Sequence, residues 1–199
     1  MKAFVLATGN AGKLAEMKAL LDDLSIDIVP QSDFNVPDAE ETGLCFVENA
    51  LIKARNASRI TGLPALADDS GLEVDALDGA PGIYSARYAG ADASDDDNNR
   101  ALLKALEDCA AEERTARFHC VLVMLRHWKD PVPRIFSAAW EGHILDAPRG
   151  DNGFGYDPLF RPLGLEITSA ELPPAEKNRI SHRGRALASL RASLTAQES

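Results

Sequence analysis

Asp68 and Asp69 stand side by side after the short apolar run LPALA (63–67) and before Ser70-Gly71, which puts two hard-oxygen carboxylates at the mouth of a buried strand. Adjacent carboxylates repel each other and are costly to bury unless a cation lies beside them. The pair suits holding a divalent cation, activating a water, or both. Asp-Asp-Ser-Gly is also ordinary polar-turn chemistry, with Gly71 free to reverse the backbone. TGNAGK (8–13) reads as a strand-to-helix turn, where unpaired first-turn N–H groups, the helix dipole and Lys13 favour an anion. It is not a P-loop: two residues separate Gly9 from Gly12 where four are required, and Leu14 stands at the magnesium-binding Ser/Thr position. In GDNGFGYDP (150–158), Phe154 and Tyr156 can stack on a planar base or simply pack a turn, and Gly153 and Gly155 allow close backbone approach. EKNRISHRGR (176–185) places Lys177, Arg179, Arg183, Arg185 and His182 before a helix, as a solvated charge run or as an anion and base-edge reader.

The elements that must position these groups follow from periodicity. AFVLA (3–7) is a buried strand, and Leu14, Met17, Leu21 and Leu24 then recur at helical spacing behind an N-cap near Asn10. A strand over 26–29 and a polar loop over 31–43 with Glu40 and Glu41 come next. A helix should begin near Leu44, with Phe46, Val47, Ala50, Leu51, Ala54 and Ala57 on its apolar face and Lys53 on another, and end at Thr61-Gly62. Leu72, Val74 and Leu77 mark an extended segment closed by a turn at 79–82. Ser94 or Asp95 caps a helix with a Leu102, Leu103, Leu106 stripe, and Asp95, Asp96 and Asp97 complement its dipole. Residues 118–125 and 134–140 read as an antiparallel hairpin about 129–133, with His119 and His127 structural and without evident partners. Leu187, Leu190 and Leu194 define the last helix.

The whole chain sets limits on this chemistry. Its 199 residues suit one domain with one sizeable core, open to division into two lobes around a cleft. A 45% hydrophobic and 26% charged composition is ordinary for a soluble globular protein. No apolar run reaches membrane length and MKAFVLATGN enters a strand rather than a signal peptide, so a cytoplasmic protein is expected. A formal net charge of -10 argues against a broad grip on nucleic acid and leaves room for a small anion held by local cations. Cys45, Cys109 and Cys120 show no C-x-x-C spacing and no even count, so reduced thiols are expected.

Taken in order, TGNAGK, EETGLCFVENALIKA, ADDSGLEVDALDGAPGIYSARYAG, FGYDPLF and KNRISHRGRA resemble the inosine/xanthosine triphosphate pyrophosphatase family, from Thr8 to about Leu190. The resemblance implies an α/β fold with a mixed central sheet and helices, one two-lobed domain over 1–199 flanking a nucleotide-binding cleft, and a homodimer. It implies Mg2+-dependent hydrolysis of ITP, dITP or XTP to nucleoside monophosphate and pyrophosphate, with no membrane and no nucleic acid as partner. Carried onto this sequence, Glu41 (or its neighbour Glu40) and Asp69, with Asp68, would hold the metal, and Asp69 or the Asp68-Asp69 pair would activate water. Thr8, Gly9, Asn10, Ala11, Gly12, Lys13, Lys53 and Ser70 would bind phosphates. Phe154, Gly155, Tyr156, Asp157, Lys177, His182 and Arg183 would grip the base, donors such as Arg183 favouring a 6-oxo purine over adenine. Residues 92–115 would carry little function. The rival readings are a pyrophosphatase acting on pyrimidine or modified nucleotides, and a non-catalytic nucleotide-binding regulator.

Overall fold

The computed structural model describes residues 2–21 and 26–196; Leu24, the last member of the first helical stripe, lies outside them. Among the described residues six strands form one sheet in the order β2-β1-β3-β4-β5-β6. They are β1 (Lys2–Ala7), β2 (Ile26–Pro30), β3 (Ala65–Val74), β4 (Thr115–Leu125), β5 (Arg134–Ile144) and β6 (Phe160–Pro162). β1 runs parallel to β2 and β3, and β5 antiparallel to β6, so the sheet is mixed, as the sequence led us to expect. The helices are α1 (Ala11–Leu21), α2 (Phe46–Thr61), α3 (Asp95–Ala105), α4 (Pro174–Ile180) and α5 (His182–Thr195).

The chain divides into two compact units. One comprises Met1–Asp69, Cys120–Ala138 and Arg183–Ser199, the other Ser70–His119 and Ala139–His182. In the first, strand alternation sorts side chains onto two faces. Phe4, Leu6, Leu66, Cys120, Leu122 and Met124 pack with Met17 and Leu21 of α1 and with Leu187 and Leu190 of α5. Val5, Ala7, Ala65, Ala67, Val123 and Leu125 pack with Ala50, Ala54 and Ala57 of α2, whose small residues let the helix lie close to the sheet. In the second unit, Leu72, Val74, Phe118, Trp140 and Ile144 form a core with Leu102, Leu106, Tyr156 and Phe160.

The structure revises several local expectations. α2 starts at Phe46 and leaves Leu44 86% exposed. Its entry is fixed by Glu48, which accepts from the Leu44 N–H at 2.6 Å, and by Asn49, which accepts from the Gly43 N–H at 2.8 Å. β3 does not end at Ala67 but runs on to Val74, so Asp-Asp-Ser-Gly is strand and not a turn. Leu72 and Val74 give that continuation a core to pack into, and each carboxylate meets its own cation, which removes the penalty that would otherwise break the strand there. His119 has a partner after all, Glu73 Oε2 at 2.8 Å, beside an Arg117–Asp75 ion pair at 2.8 Å. Residues 176–185 are two helices meeting at Ser181 and not a lead-in to one. Ser94 caps α3 in a reciprocal box with Asp97, as anticipated. Among the described residues no helix is long and apolar enough to cross a membrane.

Candidate active site

Because successive strand residues point to opposite faces, Asp68 and Asp69 part company at once. Asp69 follows Ala65 and Ala67 onto the α2 face, where Lys53 Nζ lies 2.6 Å from its Oδ1 and 3.0 Å from Glu41 Oε1. Asp68 follows Leu66 onto the α1 and α5 face. Lys13 Nζ sits 2.6 Å from its Oδ1, Arg183 Nε 3.2 Å from its Oδ2, and the Cys120 thiol donates to the same oxygen at 3.2 Å. Arg183 also pairs with Glu16, one turn along α1 from Lys13. The two carboxylates therefore meet different ion-pair partners on the two faces of β3, while the Lys53 and Lys13 charges still act on both.

Burial and charge tune the two differently. Asp68 is fully buried, which by itself raises its pKa, yet the Arg183, Lys13 and Lys53 charges together hold it well below the ordinary carboxylate value. Asp69 is raised: burial is the largest influence, Lys53 and Lys13 oppose it, and Glu41 adds to it. Burial pulls the Lys53 ammonium down, but Asp69, Glu41 and Asp68 outweigh it and leave its pKa raised. Asp69 is thus the more basic of the pair, and the carboxylate suited to taking a proton.

Glu41 and Asp69 bring two carboxylates to one positive point, the Lys53 ammonium. Magnesium is commonly held by one or two protein carboxylates, with substrate phosphates and waters completing its shell, so this donor set fits that ion. Among the described residues no group of three or more His, Cys, Asp or Glu side chains is placed to hold a metal by itself. Of the neighbouring glutamates it is Glu41 that faces Lys53; Glu40 lines a surface cavity with Ile52, Arg55 and Trp128. At the start of α1, Asn10 is the N-cap, its Oδ1 accepting from the Lys13 N–H at 2.9 Å, with the Thr8 hydroxyl accepting from the Asn10 N–H at 3.2 Å. Gly9, Asn10 and Ala11 are exposed, Thr8 and Gly12 half-buried, an open helix N-terminus of the kind that receives anions. Ser70 follows Asp69 half-buried in β3 and falls in the second unit.

That unit also holds Phe154 and Tyr156, the aromatics of the FGYDP turn. Asp157, 2% exposed, ties the FGYDP turn together. Its carboxylate accepts from the Phe154 N–H at 2.9 Å, from Lys177 Nζ at 2.6 Å and from the Ser169 hydroxyl at 2.7 Å. Gly153 has φ +79°, and a Cβ there would lie 2.1 Å from Asp157 Oδ2, so only glycine lets the carboxylate come this close. Lys177 Nζ lies 5.0 Å from the half-buried Phe154 ring. His182 stacks on Phe118 at 4.9 Å and lies 6.4 Å from Trp140. Tyr156 is buried, its hydroxyl donating to the Ser85 carbonyl at 2.8 Å, so it supports the turn and does not offer its ring as a stacking face.

Phe154, Gly155, Asp157 and Lys177 are therefore brought together, and Lys53, Glu41 and Asp69 likewise in the first unit. Arg183, at 2% exposure, has its guanidinium on Asp68 and Glu16. Sequence reasoning missed Glu16 and Cys120 as Asp68's surroundings. The only available signal was Lys13 and Glu16 at i, i+3 on one helix. Burial, together with the Asp68 charge, raises the Cys120 thiol pKa well above its usual value. In a native thiol-labelling time course the exposed Cys45 is expected to react first and Cys120 only after denaturant is added; early labelling of Cys120 would contradict this packing.

Taken together, a mixed sheet flanked by helices, with a carboxylate–ammonium cluster and an open helix N-terminus, defines an α/β protein. The chain belongs to the Ham1 family, whose model matches residues 4–193. It is 60% identical over 190 residues to a dITP/XTP pyrophosphatase of Vibrio cholerae, covering 96% of this chain and 95% of that protein. A HAM1 protein from Coxiella burnetii has a solved structure matching with a TM-score of 0.92 at 54% identity, over 98% of this chain and all of the other. The Staphylococcus aureus Ham1 protein matches with a TM-score of 0.86 at 40% identity, again over 98% of this chain and all of the other.

Proposed function

We propose that this chain is a nucleoside triphosphate pyrophosphatase that hydrolyses ITP, dITP and XTP between the α and β phosphates, releasing nucleoside monophosphate and pyrophosphate. Such an activity keeps deaminated purines out of nucleic-acid precursor pools. The observation that carries this reading is Lys53 held between Asp69 and Glu41, an arrangement suited to a triphosphate with its counter-ion. Membership of the Ham1 family and the dITP/XTP pyrophosphatase names of its relatives support it.

Glu41 and Asp69 would hold Mg2+ together with phosphate oxygens. When bound, the ion offsets phosphate charge and makes a coordinated water more acidic. Asp68 is left out of that set, since its oxygens face Lys13 and Arg183. Asp69 holds the attacking water and takes its proton at Oδ2, the oxygen that Lys53 does not engage; its raised pKa suits a base. Lys53 and the backbone of Thr8, Gly9, Asn10, Ala11 and Gly12 bind phosphates, with Ser70. Lys53 stabilises the charge that develops on pyrophosphate, and Lys13, anchored on Asp68, adds positive potential.

Phe154 stacks on the base, while Lys177, His182 and the Tyr156 backbone N–H serve its edge. Hypoxanthine and xanthine present an oxygen at position six where adenine presents an amino group, so these donors are satisfied by the first two and left unpaired by the third. Guanine shares that oxygen, and excluding it requires a site that gives its 2-amino group no acceptor. We extend the reading to one catalytic domain per chain over 1–199, acting as a cytoplasmic homodimer that binds neither nucleic acid nor membrane. The net charge of -10 is in keeping with the lack of a nucleic-acid partner.

The test is to follow pyrophosphate against single phosphate released from ITP, XTP, dATP, dGTP and dTTP with magnesium. Pyrophosphate from ITP and XTP, at rates well above those for the other three, is the expected result. Single-phosphate release, a preference for dTTP, or binding of ITP without turnover would overturn the reading at the bond cleaved, the base read, or catalysis.

A further inference from the structure

The FGYDP turn is gripped from outside as well as from within. The outer grip comes from α3, in the 92–115 stretch to which the sequence assigned little function. Asp95, at the first position of α3, accepts from the Gly155 N–H at 2.6 Å. Asn99, one turn further along, donates from Nδ2 to the Gly155 carbonyl at 2.8 Å and to the Asp95 carbonyl at 2.9 Å. Asn99 is 9% exposed whereas Asp95 is exposed, and both lie in the same compact unit as the turn. The two contacts fix consecutive peptide planes. Asp95 holds the plane joining Phe154 to Gly155, and Asn99 the plane joining Gly155 to Tyr156. In a trans peptide the C=O and N–H point in opposite directions, so fixing the Gly155 carbonyl also aims the Tyr156 N–H. Gly155, at φ +62°, is the residue with the widest backbone freedom in the turn and the one most in need of such restraint.

This arrangement also decides which backbone groups remain for a ligand. The Gly155 N–H and C=O are both taken, and the Phe154 N–H is held by Asp157. The Asp157 N–H makes a longer contact of 3.3 Å to the Phe154 carbonyl. Among the described residues the Tyr156 N–H is the one amide of this turn without a hydrogen-bond partner.

We propose that Asp95 and Asn99 are positioning residues for base selection, setting the plane of Phe154 and the direction of the Tyr156 N–H without touching substrate. The proposal rests on the reading that the FGYDP turn receives the base. Replacing one short hydrogen bond that aims a recognition group costs about tenfold in the step that depends on it. The effect falls on KM and on selectivity, because these Asp95 and Asn99 side-chain hydrogen bonds go to the FGYDP turn and within α3 and not to Glu41, Lys53 or Asp69.

The experiment measures kcat and KM for ITP and dATP with wild type, Asp95→Ala, Asp95→Asn, Asn99→Ala, Asn99→Asp and Phe154→Ala, with a thermal melt for each. Asp95 is exposed, so its variants keep the fold testable if Asn99→Ala proves unstable. Asp95→Ala and Asn99→Ala should raise the KM for ITP about tenfold and narrow the ITP-to-dATP ratio of kcat/KM, with kcat for ITP within about twofold of wild type. Asp95→Asn, which keeps an acceptor, should restore most of the KM. Asn99→Asp, which sets a carboxylate against the Gly155 carbonyl, should be worse than Asn99→Ala. If Phe154→Ala raises KM while the Asp95 and Asn99 variants leave KM and selectivity unchanged, the positioning role is overturned and the base reading stands. If Phe154→Ala also leaves KM unchanged, the base reading fails and the positioning role falls with it.

Discussion

Asp69→Asn is expected to lower kcat for pyrophosphate release from ITP by about 10²–10⁴-fold, the range a positioned general base contributes. Asn keeps the shape of the side chain and can still accept from Lys53 Nζ, which lies 2.6 Å from Asp69 Oδ1, so the geometry around α2 survives. What it lacks is a basic oxygen and the charge that, with Glu41, would hold a divalent ion. The variant should also require more magnesium for half-maximal activity, and saturating magnesium should not restore kcat, which separates lost proton transfer from lost metal affinity. A melting temperature close to wild type would show that the loss is chemical. Retention of more than about a tenth of wild-type kcat would remove Asp69 from the role of base, since such a role contributes at least about a hundredfold.

Arg183→Met tests the second charge cluster, and here the large effect is on stability. Asp68 has no side-chain exposure and Arg183 2%, so removing the guanidinium takes one of two ion-pair cations from a buried carboxylate, leaving Lys13 and the Cys120 thiol beside it, and takes a cation from Glu16. Removing one member of a buried ion pair costs about 3–5 kcal/mol, read as a lowered urea midpoint at unchanged m. The pH dependence has a definite sign. Asp68's folded pKa is depressed below its ordinary value of 3.8, so its contribution is complete above that value and is lost as pH falls toward the folded pKa. The gap between wild type and Arg183→Met should therefore be widest near neutrality and shrink in acid. Combining Arg183→Met with Asp68→Asn should recover part of the loss, because the orphaned charge is gone. A midpoint unchanged within about 0.5 kcal/mol, with a raised KM for ITP, would instead return Arg183 to the base edge the sequence suggested for it.

Both predictions turn on a feature that the residue order contains but does not display. Asp68 and Asp69 are neighbours in sequence, and the natural reading was a shared ion at a strand mouth. Once β3 is known to continue to Val74, the period-two alternation separates them, one toward α1 and α5 and the other toward α2. The strand signal was weak because the two charges interrupt the apolar run, and only the cations on three different helices make that interruption tolerable. Arg183 shows the same limit: nothing in its sequence position marks Asp68 and Glu16 as the carboxylates its guanidinium meets.

Periodicity determined what depends on local spacing: the strand and helix flanking TGNAGK, the Asn10 and Ser94 caps, the alanine face of α2 and the leucine stripe of α5. The ordered motifs determined the family, since five matching stretches over one chain are specific where each alone is not. Tertiary structure decided the pairings between distant segments: Lys53 with Glu41 and Asp69, Asp157 with Lys177, and Asp95 and Asn99 with Gly155. The physical reason is one of range. Hydrophobic spacing and capping act within a few residues and leave a local pattern, whereas a buried charge or backbone amide accepts any partner that the fold brings within about 3 Å, and sequence spacing carries no record of which one that is.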